Sequence, residues 1–390
     1  MGVTLNYIWI IAQVIIGYNL VFPFILFCVY SLSKKRKPAK PSSDYNPDYA
    51  IIITAYQFVN TLPDVVESVS NLNYSNYLVY VVADNCDISA LKFDDTRVIL
   101  LRPEEVLQGN VKSHFYAIDR FVRNHDILTI IDSDNLVDTE YLNELNAYFA
   151  MGFEAVQGIR EAKNLDTVYS CLDAARDIYY HFFDGKLLFD AGSSATLSGS
   201  GMAFTVKLYK ECLQHLSVQG AGFDKVLQAS ILSKDLRIAF ASKAIVFDEK
   251  TSVPEQLVNQ RSRWLNTWFK YFMLGFNLIG EGLKNFSLNQ ILFGLVLLRP
   301  PLFIFLIISG LMLVINLFIA PLISLLWLTG FILFVLSFVI SLKLSKADSR
   351  IYTSLKGIPS FVFYQVISLT RIFSANKRSV ATQHFHTNSK

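Results

Sequence analysis

With 390 residues the chain has room for one complete enzyme domain plus membrane segments, and 52% hydrophobic residues is more than an ordinary soluble domain carries. A formal net charge of +3, with basic residues scattered outside one short cluster, argues against nucleic acid as a partner. Four cysteines (Cys28, Cys86, Cys171, Cys212) without C-x-x-C spacing argue against a zinc knuckle or a disulfide framework and read as reduced, mostly buried thiols.

In chain order, residues 7–30 form an uncharged apolar run of the length a bilayer crossing needs, roughly 20 residues. It predicts a first spanning helix. A cleaved signal peptide is the competing reading, but no positive charge precedes the run, no small-x-small site closes it, and Lys34-Lys35-Arg36-Lys37 follows it. By the positive-inside rule that cluster stays in the cytosol and the N-terminus lies outside. The first two segments are thus a transmembrane helix (1–32) and a basic linker (33–47).

From 48 to 264 short β-branched or apolar runs alternate with mixed-polarity helical stretches. Strands are expected at 49–54, 77–83, 97–101, 127–131, 155–157, 196–204 and 238–240, with early helices at 63–72, 110–124 and 141–150. The alternation predicts an α/β domain with a mainly parallel, mixed sheet. Ligands of such sheets collect beyond the carboxyl ends of strands, where Thr54, Asp84 and Asp132 fall.

Beyond Trp264 the sequence becomes membrane-grade. Residues 265–300 read as interfacial helices, aromatic-rich at 265–279 and too short to cross at 290–298; 301–343 read as a transmembrane hairpin broken at Ala320-Pro321. Lys343, Lys346 and Arg350 then return to the cytosol. Residues 344–374 form a cytosolic and interfacial segment, its apolar 359–373 read as interfacial rather than as a fourth span, and 375–390 a disordered tail whose His384 and His386 are solvated.

The chemistry-bearing residues sit at the ends of buried runs. Val79-Tyr80-Val81-Val82-Ala83 ends in Asp84, and Leu128-Thr129-Ile130-Ile131 ends in Asp132-Ser133-Asp134. A carboxylate at the end of an apolar strand needs a hydrogen bond, a cation or a helix N-terminus. One such Asp reads as a turn former or helix cap; two at alternate positions can share an ion, and sparse hard oxygen ligands suit Mg2+ or Mn2+ completed by phosphate oxygens. Gln260-Arg261-Ser262-Arg263-Trp264 supplies the basic side: Arg263 offers forked donors to phosphate, Gln260 lies one helical turn away, and Trp264 can stack on a sugar ring. Taken alone, this motif is equally an amphipathic membrane-surface helix.

In combination these motifs resemble the membrane-bound, inverting glycosyltransferases of family two, with the GT-A fold, the group of cellulose, chitin, hyaluronan and poly-N-acetylglucosamine synthases. The resemblance covers roughly 49–268. It implies that Thr54, Ala55 and Tyr56 line a nucleotide pocket, that Asp84 contacts the uracil side of the donor, and that Lys112 lies near the diphosphate. It also implies Asp132 on the nucleotide, Asp134 on the metal, Ser198, Gly199, Ser200 and Gly201 in the acceptor loop, and Asp224 as the catalytic base. Gln260 and Arg263 would bind the nucleotide-sugar and Trp264 the acceptor. Two positions depart from the pattern: Gln57-Phe58 stands where Asn-Glu is usual, and Phe223 replaces the Glu of Thr-Glu-Asp.

The implied activity is transfer of a sugar from a nucleotide-sugar, UDP-linked, to an acceptor saccharide, building a β-linked polysaccharide. Non-processive glycosylation of a lipid is the alternative, and a non-catalytic scaffold retaining a GT-A shell is the alternative of another class. The expected setting is a multi-pass protein of the plasma membrane, in contact with its lipids, with the catalytic domain in the cytosol and room for an accessory export or regulatory subunit.

Overall fold

The computed structural model describes residues 2–32, 45–216 and 221–372, so the basic cluster after residue 33 and the His384/His386 tail lie outside the described residues. A first helix, α1 (Gly2–Leu32), leads to β1 (Tyr49–Tyr56), α2 (Leu62–Ser70), β2 (Tyr77–Asp84), β3 (Val98–Leu101), α3 (Asn110–Ile118), β4 (Ile127–Asp132), β5 (Leu136–Val137), α4 (Tyr141–Phe149) and β6 (Ala155–Ala162). There follow α5 (Val168–Tyr180), which continues through a π-helical stretch (His181–Leu187) into α6 (Leu188–Asp190), then β7 (Met202–Thr205), α7 (Val206–Leu213), α8 (Phe223–Ser233) and β8 (Ile238–Asp248).

The eight strands form one mixed sheet in the order β3-β2-β1-β4-β7-β6-β8-β5. β1 lies parallel to both β2 and β4, and β6 parallel to β8, while β7 runs antiparallel to β4 and β6. Strand β1 is apolar from Tyr49 to Ile53 because both sheet faces are covered there. Its alternate side chains divide between two cores: Ile51 and Ile53 pack with Val65, Leu142 and Leu145 of α2 and α4, whereas Ala50 and Ile52 pack with Ala117, Leu208 and Leu227 of α3, α7 and α8.

The second of these cores runs without interruption into the apolar helices. Leu20, Phe293, Phe305, Trp327 and Phe334 belong to it. They come from α1 and from three members of the C-terminal series α9 (Pro254–Tyr271), α10 (Leu274–Asn285), α11 (Leu288–Leu298), α12 (Leu302–Ile319), α13 (Pro321–Leu344), α14 (Ser349–Ser354) and α15 (Ile358–Leu369), namely α11, α12 and α13. Among the described residues three helices are long and apolar enough to cross a membrane: α1 (from Asn6), α12 and α13. Gln13 Oε1 of α1 accepts from Asn316 Nδ2 at 2.6 Å and Trp327 Nε1 at 2.9 Å, and a Cβ on Gly330 would sit 3.2 Å from Leu20. Hence α1 and α13 run in the same direction, and α12 opposes both.

Several expected boundaries move. Residues 196–201 are loop rather than strand, because Gly199 and Gly201 take φ of +88° and +65°, which no regular strand accommodates. Strands β6 and β8 extend well beyond their expected ends through a bulge after Gly158, β5 was not expected, and α3 stops at Ile118. Helix α9 runs unbroken across the expected boundary at 264, so the Gln260–Trp264 motif and the first membrane-side turns share one rod. Helix α15 has 12 residues, about 18 Å, too short to span. It packs on α9, where Ser262 Oγ donates to Ser368 O at 3.0 Å.

Candidate active site

The sheet register puts Thr54 directly beside Asp132 and Tyr56 beside Asp84, so the first acids meet at one carboxyl edge. Ala55 points into the core between them and can offer a ligand only its backbone. Asp84 is buried and its two oxygens accept the N–H groups of Leu107 (2.9 Å) and Gln108 (2.8 Å), which fastens the loop before α3 to the sheet edge. Three non-glycine residues in the loops of this edge, Gln57, Asn85 and Gln108, hold positive φ (64°, 53° and 48°). Such strain persists only where the surroundings enforce it, and it collects at ligand-binding edges. Lys112 stands on the exposed face of α3, with no hydrogen bond or ion pair among the described residues.

Asp132 ends β4 in a crowd of negative charge. Burial, then Asp134, Asp248 and Asp224, push its carboxyl up to about 7 against the pull of the Arg160 guanidinium. Asp224, far away in sequence, is therefore within electrostatic reach of the D-x-D pair. Among the described residues no three His, Cys, Asp or Glu side chains close a metal cage. Two carboxylates with strong mutual repulsion nevertheless fit a divalent ion that takes its remaining ligands from phosphate and water.

The 198–201 loop is tied to the same point. Ser200 Oγ accepts the N–H of Asp132 at 3.1 Å, and the Gly201 N–H donates to Ile130 O at 2.9 Å. Buried Gln157 organises the loop from beneath: its Oε1 accepts the Ser198 N–H, and its Nε2 donates to the carbonyls of Ser200 (3.1 Å) and Gly201 (3.3 Å). Gln228 of α8 accepts the Leu197 N–H at 3.0 Å, joining the loop to the helix that carries Asp224.

Asp224 lies in the first turn of α8, its side chain 17% exposed, with Lys225 Nζ 3.3 Å from its Oδ2. Gly222 caps that helix at φ +98°. It packs against Thr267 and Tyr271 of α9, and Thr267 Oγ1 in turn donates to Arg263 O at 2.9 Å. The helix that carries the base candidate and the Q-x-x-R-W helix are thus in direct contact. Phe223, the residue in place of the usual Glu, is a core aromatic set edge-on to His114.

An ionic ladder joins α9 to the sheet. Arg261 and Arg176 both bind Asp173 Oδ1, and both guanidiniums lie over the Trp264 ring, 4.1 Å and 4.2 Å from its centroid. Asp177 holds Arg176 and Lys250, each at 2.5 Å, and Arg160 at 3.6 Å; Asp248 holds Lys250 at 2.5 Å and Arg160 at 3.4 Å. Burial opposes ionisation of Asp177, but Arg176, Lys250 and Arg160 outweigh it and hold its carboxyl well below the usual range. Gln260 Oε1 accepts from Thr251 Oγ1 (3.3 Å) and Arg261 Nη1 (3.1 Å), while burial lowers the Arg263 pKa. The structure therefore brings Thr54, Asp132, Asp134, Asp224, the 198–201 loop and the Gln260–Trp264 motif to one region. Lys112 is left at its margin.

The residues that position this site were not singled out from the sequence. Gln157 gave no signal. The i, i+3, i+4 set Asp173, Arg176 and Asp177 on an otherwise apolar α5 was a legible one.

A family profile described as "Glycosyltransferase like family 2" matches residues 47–267, more than half of the chain. The chain belongs to glycosyltransferase family 2. Among solved structures, this family-2 glycosyltransferase is similar to the mannosyltransferase PcManGT from Pyrobaculum calidifontis in complex with GDP-Man and Mn2+, at 14% identity and a TM-score of 0.58 over 93% of this chain and 97% of that one. Two S. aureus TarS 1-349 structures align less closely: 13% identity and TM-score 0.41 over 85% and 90% of the two chains, and, in complex with UDP, 14% and 0.40 over 63% and 70%. At 14% identity the PcManGT alignment shows likeness of fold alone. No curated protein matches the sequence.

Proposed function

We propose that this family-2 glycosyltransferase is a membrane-bound, metal-dependent, inverting enzyme that moves a sugar from a UDP-linked donor to an acceptor saccharide, building a β-linked polysaccharide. The observation that carries the reading is the convergence of the D-x-D pair, Asp224 and the α9 motif, through the Asp132–Ser200 bond and the Gly222–Thr267 contact. PcManGT carries GDP-Man and Mn2+ on a similar fold, which is in keeping with a nucleotide-sugar donor and a divalent ion here.

In this reading Thr54, Ala55, Tyr56 and Asp84 shape the nucleotide pocket, and Asp132 and Asp134 face the diphosphate. Mg2+ or Mn2+ held by Asp134 would supply Lewis-acid neutralisation of the leaving group. Gln260 and Arg263 hold the diphosphate from the opposite side. The acceptor hydroxyl, set against the 198–201 loop and Trp264, gives its proton to Asp224 Oδ and attacks the anomeric carbon opposite the leaving diphosphate, which inverts that centre. General-base help of this kind is worth about 10²–10⁴-fold. Asp224→Asn is expected to abolish transfer while sparing donor–Mn2+ binding in isothermal titration, and Asp134→Asn to weaken that binding. Equal loss of binding in both would overturn the assignment.

The parallel course of α1 and α13 puts Leu32 and Leu344 on one side, beside Lys343 and Lys346, which supports three crossings with a cytosolic catalytic domain. A second reading, transfer of a single sugar to a lipid, is favoured by the packing of these helices. Trp327 closes over Gly17 and Leu20 over Gly330, so no polymer-wide conduit separates α1 from α13. Export of a polymer would then need an accessory subunit. Product sizing decides: a ladder of long chains supports polymerisation, and a single added sugar supports the lipid acceptor.

A further inference from the structure

The cations around the crevice divide into two classes. Arg160, Arg176, Lys250 and Arg261 are each held by one or two carboxylates of the ladder, so their charge is already answered. Lys163 is different. It follows the end of β6, where its own N–H donates to Asp248 O at 2.8 Å, and its half-buried side chain reaches the D-x-D turn, with Nζ donating to the backbone carbonyl of Asp134 at 3.2 Å. No carboxylate of the described residues pairs with it, and an ammonium has three donors, of which that carbonyl takes one.

We propose that Lys163 is a donor-binding residue whose ammonium grips the diphosphate of the nucleotide, on the D-x-D side and opposite Arg263. The inference rests on the nucleotide-sugar reading above. A buried structural lysine would be neutralised as Lys250 is; a lysine tethered only to a neutral carbonyl, beside two metal-site carboxylates, retains its charge for a polyanion. The backbone anchor fixes where the ammonium sits before the ligand arrives. Its two remaining N–H groups can meet phosphate oxygens as charge-assisted hydrogen bonds. Because the tether is the Asp134 carbonyl, any ion on the Asp134 carboxylate and the ammonium of Lys163 would address the same phosphates.

The test uses the full-length protein in detergent with Mn2+, titrated with UDP and UMP and with GDP and GMP. The wild type is expected to prefer the diphosphates. Lys163→Met, which keeps the stem, should weaken the better diphosphate by about tenfold or more and leave its monophosphate within about twofold, the loss expected of a charge-assisted bond. Lys163→Arg should restore most of the preference, and the unfolding temperature should stay unchanged. Equal weakening of di- and monophosphate, or no weakening of either, would overturn the role of Lys163. A wild type that binds neither UDP nor GDP would overturn the nucleotide-sugar reading itself.

Discussion

Gly222 and Tyr271 meet so closely that a Cβ on Gly222 would lie 2.8 Å from Tyr271 Cε2, and 2.5 Å from Thr267 Cγ2 as well. That contact seats the helix of Asp224 on the helix of Arg263. Gly222→Ala adds the missing carbon at a φ of +98° that L side chains rarely adopt, so both overpacking and backbone strain apply. The expected loss is about 2 kcal/mol or more of stability, with a larger proportional fall in kcat than in donor affinity. Thermal unfolding and steady-state kinetics on the same preparation check it.

Asp132 predicts an unusual pH dependence for the metal-free protein. Its folded pKa of about 7 lies above the ordinary carboxylate value of about 3.9, so between these two values the native state binds more protons than the unfolded state. Stability from this group is therefore full below the lower value and declines as pH rises through the window, by a few kcal/mol on the order-of-magnitude scale of 1.36 per unit. Asp132→Asn should accordingly raise the unfolding temperature in EDTA above pH ~7 while removing Mn2+-dependent donor binding. Mn2+ with nucleotide should raise the unfolding temperature of the wild type by binding the native state alone.

The ladder carries the opposite sign. Burial opposes ionisation of Asp173, but Arg261 and Arg176 more than offset it and lower its carboxyl, as Asp177 is lowered by its own cations. Their contribution is present above the unfolded value of about 3.9 and lost as pH falls below it. Asp173→Asn takes the carboxylate from buried Arg261 while Arg176 keeps Asp177, and truncating one partner of a buried ion pair typically destabilises by about 3–5 kcal/mol. A shift in tryptophan emission should accompany the loss.

Gln157→Leu strips the support from the 198–201 loop, orphaning the Ser198 N–H and leaving the Ser200 carbonyl only the Ser198 hydroxyl at 3.4 Å. Each buried unsatisfied group costs about 1–3 kcal/mol. Under the proposed roles, acceptor KM should rise while donor hydrolysis without acceptor persists. A parallel fall in both would assign Gln157 to general stability.

Gln13→Leu removes the acceptor shared by Asn316 and Trp327. Hydrogen bonds between membrane helices are worth about 0.6–1.7 kcal/mol, so the variant should unfold more readily in mixed SDS micelles, by an amount in that range.

The sheet was legible because its strands are buried on both faces and bounded by turns; 49–54, 77–83 and 127–131 fall inside observed strands. Where glycines intervened the pattern misled: the apolar residues flanking Gly199 and Gly201 imitate a strand that their positive φ forbids. That Asp84 and Asp132 lie at one edge of the sheet was legible for a similar reason, since each ends an apolar run that reads as a buried strand. What holds those acids in place was not. Asp84 and Gln157 act through backbone amides and carbonyls of loops more than 20 and 40 residues away, and Lys163 through a carbonyl, contacts that leave no periodic trace in sequence. The break assumed at 264 failed because composition changes there while helical geometry continues to Tyr271.

The Gln13–Asn316 bond closes across 303 residues of chain. At ribosomal rates of about 5–20 residues per second, α1 would emerge about 15–60 s before the helix that completes it. For that interval Gln13 would stand on an apolar helix without the Asn316 and Trp327 donors that it accepts from in the finished fold. The pairing that fixes α1 against α12 and α13 is thus among the last contacts the chain can make.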